Sequence, residues 1–177
     1  MEFTNFVLSS GGGKVLGTLG KFGRVAGTMD WVHAVACPDE HTLYAARDPQ
    51  GVRPLVLGRL ERGWVVTSET AALDIVGASF VREIEPGELL AVDEDGLRSQ
   101  SFAAPAPKGC IFEYVYLARP DTTIAGRSVH SARVDVGRRL AREHPVEADL
   151  VIPVPESGTP AAIGYAEESG IPYGTGL

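Results

Sequence analysis

The stretch from Asp149 to Gly170 constrains the fold of this chain most, because it reads as a strand, a tight turn and a helix. Residues 149–154 form a short apolar run that is typical of a buried strand. Thr159 and Pro160 suit the N-cap and the first position of a helix that Gly170 ends. Since strand, turn and helix in this order build βαβ structures, we expect a parallel-sheet unit here.

The turn Pro155–Thr159 predicts an anion site. N–H groups in the first turn of a helix lack partners within the helix and carry partial positive charge. Loops of small residues at such a helix start therefore favour phosphate groups. A well-capped turn without any ligand explains the same residues, and the sequence of the turn leaves both interpretations open.

Short apolar runs separated by turn residues predict an antiparallel sheet layer over residues 31–100. The expected strands are Trp31–Ala36, Thr42–Ala46, Leu55–Leu60, Trp64–Ser68, Ser79–Ile84 and Glu88–Val92. A short helix is expected over Glu69–Val76, with Ser68 or Thr70 near its cap. The alanines and prolines of Ser101–Lys108 predict a linker.

Helical periodicity replaces this pattern in the second half of the chain. Ile111–Leu117 is apolar and aromatic, which predicts a buried strand, and a 3.6-residue repeat predicts a helix over Ser128–Glu143. A second helix is expected over Pro160–Glu168. The predicted buried face of the first helix carries Val129, Ala132, Val136 and Leu140. One such unit cannot cover both faces of a parallel sheet, so we expect an incomplete domain.

The N-terminal region is rich in glycine. Residues 9–27 contain seven glycines, which predicts a flexible linker with little apolar surface to bury. The spacing of the glycines around Lys14 and Lys21 does not fit a nucleotide-binding loop.

Charge and cysteine content limit the classes of partner. The net charge of −7 argues against nucleic acid and anionic membranes, which select basic surfaces. Two cysteines without close spacing indicate a reducing compartment, and we expect the cytoplasm. No apolar run is long enough to span a membrane. The four histidines are not spaced as pairs of zinc ligands, so no zinc site is predicted.

Five segments together resemble one enzyme family, the amidophosphoribosyltransferases, also called glutamine phosphoribosylpyrophosphate amidotransferases. The segments, in the order of the family, are Ala46–Leu55 (ARDPQGVRPL), Ser68–Asp74 (SETAALD), Glu85–Glu88 (EPGE), Cys110–Asp121 (CIFEYVYLARPD) and Val151–Ser157 (VIPVPES). The resemblance covers about residues 39–177, and the Cys110–Asp121 segment is its most specific part.

The resemblance implies a mixed fold, α+β followed by α/β. In the family an N-terminal-nucleophile glutaminase of αββα layers releases ammonia from glutamine, and a type I phosphoribosyltransferase with a parallel sheet transfers the ammonia to phosphoribosylpyrophosphate. Residues 37–107 would then be the C-terminal part of the glutaminase-like domain. Residues 108–177 would begin the transferase-like domain, and residues 1–36 match neither.

Site residues follow from the resemblance as well. The pyrophosphate loop would consist of Pro155, Glu156, Ser157, Gly158 and Thr159, with Ser157 a candidate Mg²⁺ ligand. Because Gly158 stands where many relatives have a hydroxyl, donation by backbone N–H groups is the expected contact. Cys110 matches a ligand of the [4Fe–4S] cluster that some members carry, although an apolar buried thiol explains it equally well.

The family's principal catalytic residues have no counterpart among these 177 residues. The processed nucleophilic Cys and the paired aspartates of the ribose site are both missing, so we expect no catalytic residue and no activity of this chain alone. A fragment of the enzyme, which would be a homo-oligomer at full length, is one hypothesis. A non-catalytic anion-binding, nucleotide-binding or oligomerisation module is the alternative. A free-standing phosphoribosyltransferase is disfavoured by the missing aspartate pair.

Overall fold

The computed structural model describes residues 6–10, 15–19, 34–38 and 41–176. The chain divides into two compact units, Met1–Cys110 and Ile111–Leu177, which are described separately below. The fold is mixed, with antiparallel sheets and helices. Among the described residues, no helix combines the length and the apolar character that crossing a membrane requires.

The first unit contains nine strands and one helix within its described residues. They are β1 (Phe6–Ser10), β2 (Val15–Leu19), β3 (Ala34–Pro38), β4 (Leu43–Arg47), β5 (Val56–Leu60), β6 (Gly63–Thr67), α1 (Thr70–Val76), β7 (Ser79–Glu83), β8 (Glu88–Asp93) and β9 (Gly96–Ser101). The strands form a five-stranded sheet in the order β2-β1-β6-β5-β7 and a four-stranded sheet in the order β3-β4-β8-β9. Every pairing in the two sheets is antiparallel.

The core of the first unit joins side chains from both sheets. Leu43 and Leu90 of the four-stranded sheet pack with Leu57 and Val66 of the five-stranded sheet. Because successive strand residues point to opposite faces, their neighbours Val56 and Val65 face the other way and pack against Leu73 of α1. A β-carbon at Gly58 would lie 2.4 Å from the Leu73 side chain, so α1 packs closely on this sheet.

Most sequence predictions for the first unit are confirmed within one or two residues. The expected strands between residues 42 and 92 correspond to β4–β8, and the helix to α1. The N-cap of α1 is Glu69, so Ser68 and Thr70 flank the cap as expected, and the Glu69 side chain makes no capping hydrogen bond. Strand β9 was not expected. Residues 31–33 lie outside the described residues, and β3 covers the rest of the first expected strand.

The linker predicted over residues 9–27 is wrong where the structure describes it. Residues 9–10 end β1, and residues 15–19 form β2. Strand β1 pairs with β6 by the register Val7↔Val66. The prediction gave more weight to the glycines than to the β-forming residues around Val15. In the structure, pairing within the five-stranded sheet compensates for the low strand propensity of glycine.

Residues 102–110 carry no regular secondary structure but are not a free linker. The N–H of Ala106 donates to the carbonyl of Pro49 at 2.7 Å, and the N–H of Lys108 donates to the carbonyl of Gln50 at 2.7 Å. The segment is therefore fastened to the turn after β4.

The second unit contains a π-helical turn (Glu113–Leu117), β10 (Thr123–Ile124), β11 (Arg127–Ser128), α2 (Val129–Glu143) and α3 (Thr159–Ser169). Ser128 caps α2 by accepting a hydrogen bond from the N–H of Ser131 at 3.3 Å. Gly170 ends α3 with φ of 73°, a left-handed conformation that glycine adopts readily. Both helices are confirmed within one residue of their predicted bounds.

The strand predicted over Ile111–Leu117 is wrong, because the segment forms the π-helical turn. Only Glu113 in that turn is buried, while Ile111, Phe112 and Tyr116 are exposed. Short apolar runs do not distinguish a strand from a helix by their periodicity. The Arg133 guanidinium spans the turn, with Nε donating to the carbonyl of Tyr114 at 2.5 Å and Nη2 to that of Ala118 at 2.9 Å.

The predicted buried face of α2 is wrong in part. Val129 and Ala132 are buried, but Val136 is 53% exposed and Leu140 is 47% exposed. The helix instead turns Gly137 towards α3, where a β-carbon at that position would lie 1.8 Å from the carbonyl oxygen of Ala161. A matching β-carbon at Gly164 would lie 2.0 Å from the carbonyl oxygen of Val134, so two glycines set the spacing of the helices.

The strand predicted over Leu150–Val154 is reduced to one parallel bridge, between Val151 and Tyr173. Pro153 has no N–H to donate, which interrupts any longer ladder. The connection through α3 keeps the expected strand–helix–strand order, but at minimal length.

Candidate functional site

The candidate site is the turn before α3. The sequence predicted Thr159 as the N-cap of α3, and this is wrong by one residue. Gly158 is the N-cap, with φ of −76° and ψ of −16°, and Thr159 is the first helical residue. The N–H of Thr159 donates to the carbonyl of Glu156 at 3.1 Å, which closes the turn. Pro160 lies in the first turn, where its missing N–H costs nothing.

Open hydrogen-bond donors lie at this helix start. Within the part of the chain that the structure describes, the N–H groups of Ser157 and Gly158 meet no acceptor. Both residues are half-buried, whereas Pro155 and Glu156 are exposed. The helix dipole adds partial positive charge at the same place, so the turn presents donors that suit an anion.

Gly158 is required by the path of the backbone. A β-carbon there would lie 2.7 Å from the carbonyl oxygen of Val154, a distance that real β-carbons essentially never show. The turn folds back on the preceding segment, and a hydroxyl-bearing residue would force the two apart. Backbone donation at Gly158 is therefore the contact that this geometry permits.

A cavity of about 580 Å³ adjoins the turn within the second unit. Its wall is mainly apolar, with side chains of the π-helical turn and α2, and it reaches Ser157 and Gly158. Three arginines also line it, namely Arg127, Arg133 and Arg139. This cavity was not predicted, because its lining residues lie far apart in the sequence, between Ile111 and Ala161, and come together only in the folded unit.

The arginines of the cavity have partners in the protein. Arg127 contacts the Asp135 carboxylate at 3.0 Å, and Arg139 contacts that of Glu143 at 2.7 Å. The hydrogen bond to Glu143 raises the pKa of Arg139. Since both pairs are exposed, they exchange readily for other partners and contribute little stability.

Oxygen ligands for a cation are few at the turn. Glu156 and Ser157 offer a carboxylate and a hydroxyl, which suits Mg²⁺ when a diphosphate supplies the other oxygens. Across the described residues, no group of three His, Cys, Asp or Glu side chains could hold a metal alone. Cys110 is half-exposed, and a chain with two cysteines cannot supply the four thiolates of a [4Fe–4S] cluster by itself. Its role as one ligand stays a prediction.

The Arg47 region, part of the Ala46–Leu55 segment, has a structural role. The Arg47 side chain is nearly buried and donates to three carbonyls, those of Arg53 at 3.0 Å, Ile84 at 2.7 Å and Gly51 at 3.2 Å. The Asp48 carboxylate accepts from the N–H of Gln50 at 2.9 Å. The hydrogen bonds of Arg47 and Asp48 therefore fix the conformation of the loop after β4, and both side chains serve the structure and not a reaction.

A charged cluster on β8 escaped the sequence analysis. Glu88 accepts from both terminal nitrogens of Arg82, at 2.8 and 2.5 Å, from the N–H of Glu85 at 2.7 Å and from the Ser99 hydroxyl. Burial alone would raise the pKa of Glu88, but the hydrogen bonds from Arg82, Ser99 and Glu85 outweigh it and lower that pKa to about 2. With a pKa of about 2, the Glu88 carboxylate is ionised at neutral pH; its four hydrogen bonds stabilise the sheet, and it does not serve as a proton-transfer group there.

Comparisons with known proteins agree on one family. The chain is 82% identical over 139 residues to the amidophosphoribosyltransferase of Mycobacterium tuberculosis H37Rv. The aligned residues make up 78% of this chain and 26% of that protein. Over 140 residues it is 53% identical to the enzyme of Synechococcus elongatus, covering 76% of this chain and 28% of that enzyme. No family model matches the chain.

Solved structures give the same result. The glutamine phosphoribosylpyrophosphate amidotransferase of Bacillus subtilis, solved with ADP and GMP, is 48% identical with a TM-score of 0.75 and covers 77% of this chain and 30% of that one. The chain spans about a quarter of the length of the curated relatives it matches. Over the matched residues, the chain is a relative of the amidophosphoribosyltransferases.

Proposed function

We propose that this chain supplies the pyrophosphate-binding loop of an amidophosphoribosyltransferase-type enzyme. In that reaction ammonia released from glutamine attacks the anomeric carbon of phosphoribosylpyrophosphate, and pyrophosphate leaves to give phosphoribosylamine, the first step of purine synthesis. The observation that carries the proposal is the pair of open N–H groups at Ser157 and Gly158 at the start of α3. They can receive diphosphate oxygens without any side-chain contact.

Magnesium is part of this proposal. Bound beside the diphosphate, Mg²⁺ would neutralise charge on the leaving group. Glu156 and Ser157 are the residues at the turn whose oxygens could hold it. The role of the backbone is separate: the N–H groups orient the diphosphate whether or not the cation is present.

The finer architecture also belongs to the proposal. The two sheets with α1 would be part of an αββα glutaminase-like domain, and the Val151–Tyr173 bridge would start a transferase-like parallel sheet. A homo-oligomeric, cytoplasmic enzyme with glutamine as second substrate follows from the same relationship. Because the 177 residues contain no counterpart of the nucleophilic Cys or the aspartate pair, we expect the chain alone to bind and not to catalyse.

The test is a titration of the purified chain with phosphoribosylpyrophosphate, followed by amide chemical shifts. We expect the signals of Ser157 and Gly158 to move most, and the affinity to rise when Mg²⁺ is added. Gly158→Val should abolish the response, since its side chain would force the turn open, whereas Gly109→Ala should preserve it, since Gly109 has open space around its α-carbon. The proposal fails if the loop signals do not move.

The alternative is a non-catalytic anion-binding module. The apolar cavity that reaches the same turn favours it, because such a wall suits the organic part of a ligand. A nucleotide that binds more tightly than phosphoribosylpyrophosphate would support this module. Pyrophosphate release when the chain is incubated with phosphoribosylpyrophosphate and either glutamine or ammonia would contradict both hypotheses, since each expects an inactive chain.

A further inference from the structure

Three segments of the second unit build the cavity beside the turn before α3. Tyr114 and Val115 line it from the π-helical turn, and Ser157 and Gly158 line it from the turn before α3. Helix α2 contributes further lining residues, among them Arg133. The position of the π-helical turn relative to the candidate anion site therefore depends on how each of the two is attached to α2.

The turn before α3 is attached to α2 by the close crossing of the two helices. A β-carbon at Gly137 would lie 1.8 Å from a backbone oxygen of α3, and one at Gly164 would lie 2.0 Å from a backbone oxygen of α2. Backbone packed directly against backbone leaves little room for movement. The crossing therefore fixes the start of α3 relative to α2.

The π-helical turn is attached to α2 by the side chain of Arg133. This residue is 4% exposed, and its guanidinium donates to the carbonyls of Tyr114, at 2.5 Å, and Ala118, at 2.9 Å. The N–H of Ala118 donates to the carbonyl of Glu113 at 3.0 Å and closes the turn. A planar guanidinium holds two acceptors in a fixed geometry, which an ammonium group does not. Single π-helical turns also occur frequently at functional sites.

We propose that Arg133 is a positioning residue that makes the site selective for a phosphoribosyl ligand over bare diphosphate. The diphosphate needs only the N–H groups of Ser157 and Gly158, whereas the ribose beside it extends into the cavity and packs against the π-helical turn. Arg133 acts through the turn that it holds, because binding groups must keep their positions to within a fraction of an ångström. The inference rests on the proposed function, since it takes the diphosphate site as its starting point.

The test compares the affinities of the full chain for phosphoribosylpyrophosphate and for inorganic pyrophosphate, both with Mg²⁺, by isothermal titration calorimetry. We expect the parent chain to prefer phosphoribosylpyrophosphate. Arg133→Met should lower this preference at least about tenfold and change the pyrophosphate affinity less than about twofold, because the N–H groups at the start of α3 keep their places. A merely structural role of Arg133 would weaken the binding of both ligands alike.

Amide exchange at Ala118 reports the π-helical turn without any ligand. It should become at least about tenfold faster in Arg133→Met, whereas exchange at Gly170, whose N–H is bonded to Ala166 at the end of α3, should not change. Arg133→Lys keeps the charge and loses the planar fork. Its preference and its exchange at Ala118 should both lie between those of the parent and of Arg133→Met, and this variant decides the question if the methionine variant does not fold.

Arg139→Met is the matched control. Arg139 lines the same cavity from the same helix, but its guanidinium bonds to Glu143 of α2 at 2.7 Å and not to the π-helical turn. The variant loses the same charge, and a change of charge acts on both anionic ligands. The preference and the exchange at Ala118 should therefore stay as in the parent chain.

Three outcomes would overturn the proposal: Arg133→Met keeps the preference of the parent chain, it weakens both ligands to the same degree, or Arg139→Met loses the preference equally. The proposed function survives each of them as long as phosphoribosylpyrophosphate still moves the amide signals of Ser157 and Gly158. Absence of that response in the parent chain contradicts the proposed function and this inference with it.

Discussion

Replacing Gly164 by alanine should separate α2 from α3. The new methyl carbon would lie 2.0 Å from the carbonyl oxygen of Val134 and 3.1 Å from the nitrogen of Arg138. Ordinary van der Waals contact begins near 3.4 Å, so the helices must move apart by more than 1 Å at their crossing. Backbone atoms cannot rotate away as a flexible side chain would.

Two effects of opposite sign set the magnitude. Overpacking of this kind costs about 3 kcal/mol, at the upper end of the usual range because backbone is involved. Alanine is preferred over glycine in a helix interior by about 1 kcal/mol, which offsets part of the cost. The unfolding free energy of the second unit should therefore fall by about 2 kcal/mol, a large share of the roughly 3–10 kcal/mol expected for a unit of this size.

Urea unfolding followed by far-UV circular dichroism measures this loss, because the long helices are in the second unit. Tryptophan fluorescence reports the first unit, where Trp64 lies, and should not change. Gly109→Ala is the control, since no atom lies within 4 Å of its added β-carbon. A Gly164→Ala chain as stable as its parent would refute the close helix crossing.

The double variant Gly137→Ala/Gly164→Ala sharpens the test. Both β-carbons would press on the same crossing, so helices already parted by one substitution should accommodate the second at lower cost. We expect the combined loss to be clearly smaller than the sum of the two single losses. Strict additivity would mean that the two glycines act at independent contacts.

Three further predictions concern the first unit and use urea unfolding with tryptophan fluorescence. Arg47→Met removes three hydrogen bonds to carbonyls and should lower the unfolding free energy by about 3 kcal/mol; a loss below about 1 kcal/mol would contradict the role given to Arg47. The pKa of Glu88 is about 2 in the folded chain and near 4.5 in the unfolded chain, so its ionised carboxylate stabilises the fold fully above about pH 4.5 and progressively less as the pH falls towards 2. Glu88→Gln should therefore be less stable at pH 7, and its unfolding free energy should depend less on pH between about 4.5 and 2. Thr67 is fully buried, and its hydroxyl has no partner among the described residues, so Thr67→Val should leave the unfolding free energy unchanged or raise it by up to about 1 kcal/mol; a clear loss would indicate a bond to the hydroxyl.

The antiparallel strands β4–β8 were predictable because apolar alternation and turn residues are local properties. Pairs such as Pro86 and Gly87, or Asp95 and Gly96, mark strand ends without reference to the rest of the fold. The helices of the second unit were predictable for the same reason. Ser128 and Gly170 cap them with residue types whose preference depends on backbone geometry alone.

Features that depend on packing were not predictable in this way. The apolar residues of Ile111–Leu117 fit a strand or a helix equally, and bonds from Arg133, more than a dozen residues further along, accompany the helical turn. The buried face of α2 contains Gly137, which an apolar periodicity does not identify. Glycine is needed there because α3 packs so closely that a side chain would not fit. The position of the candidate site was found from the turn composition, whereas the cavity beside it was not.

The π-helical turn makes the length of the chain between Glu113 and Leu117 critical. Arg133 bonds to carbonyls of Tyr114 and Ala118, four residues apart, only while the turn holds its extra residue. Deleting one residue there would convert the turn to an α-helical one and would change the separation of the two carbonyls that the Arg133 guanidinium bridges. A single-codon deletion in this stretch should thus disturb both hydrogen bonds of Arg133 at once, whereas a substitution at Tyr114 or Ala118 leaves the two backbone carbonyls in place.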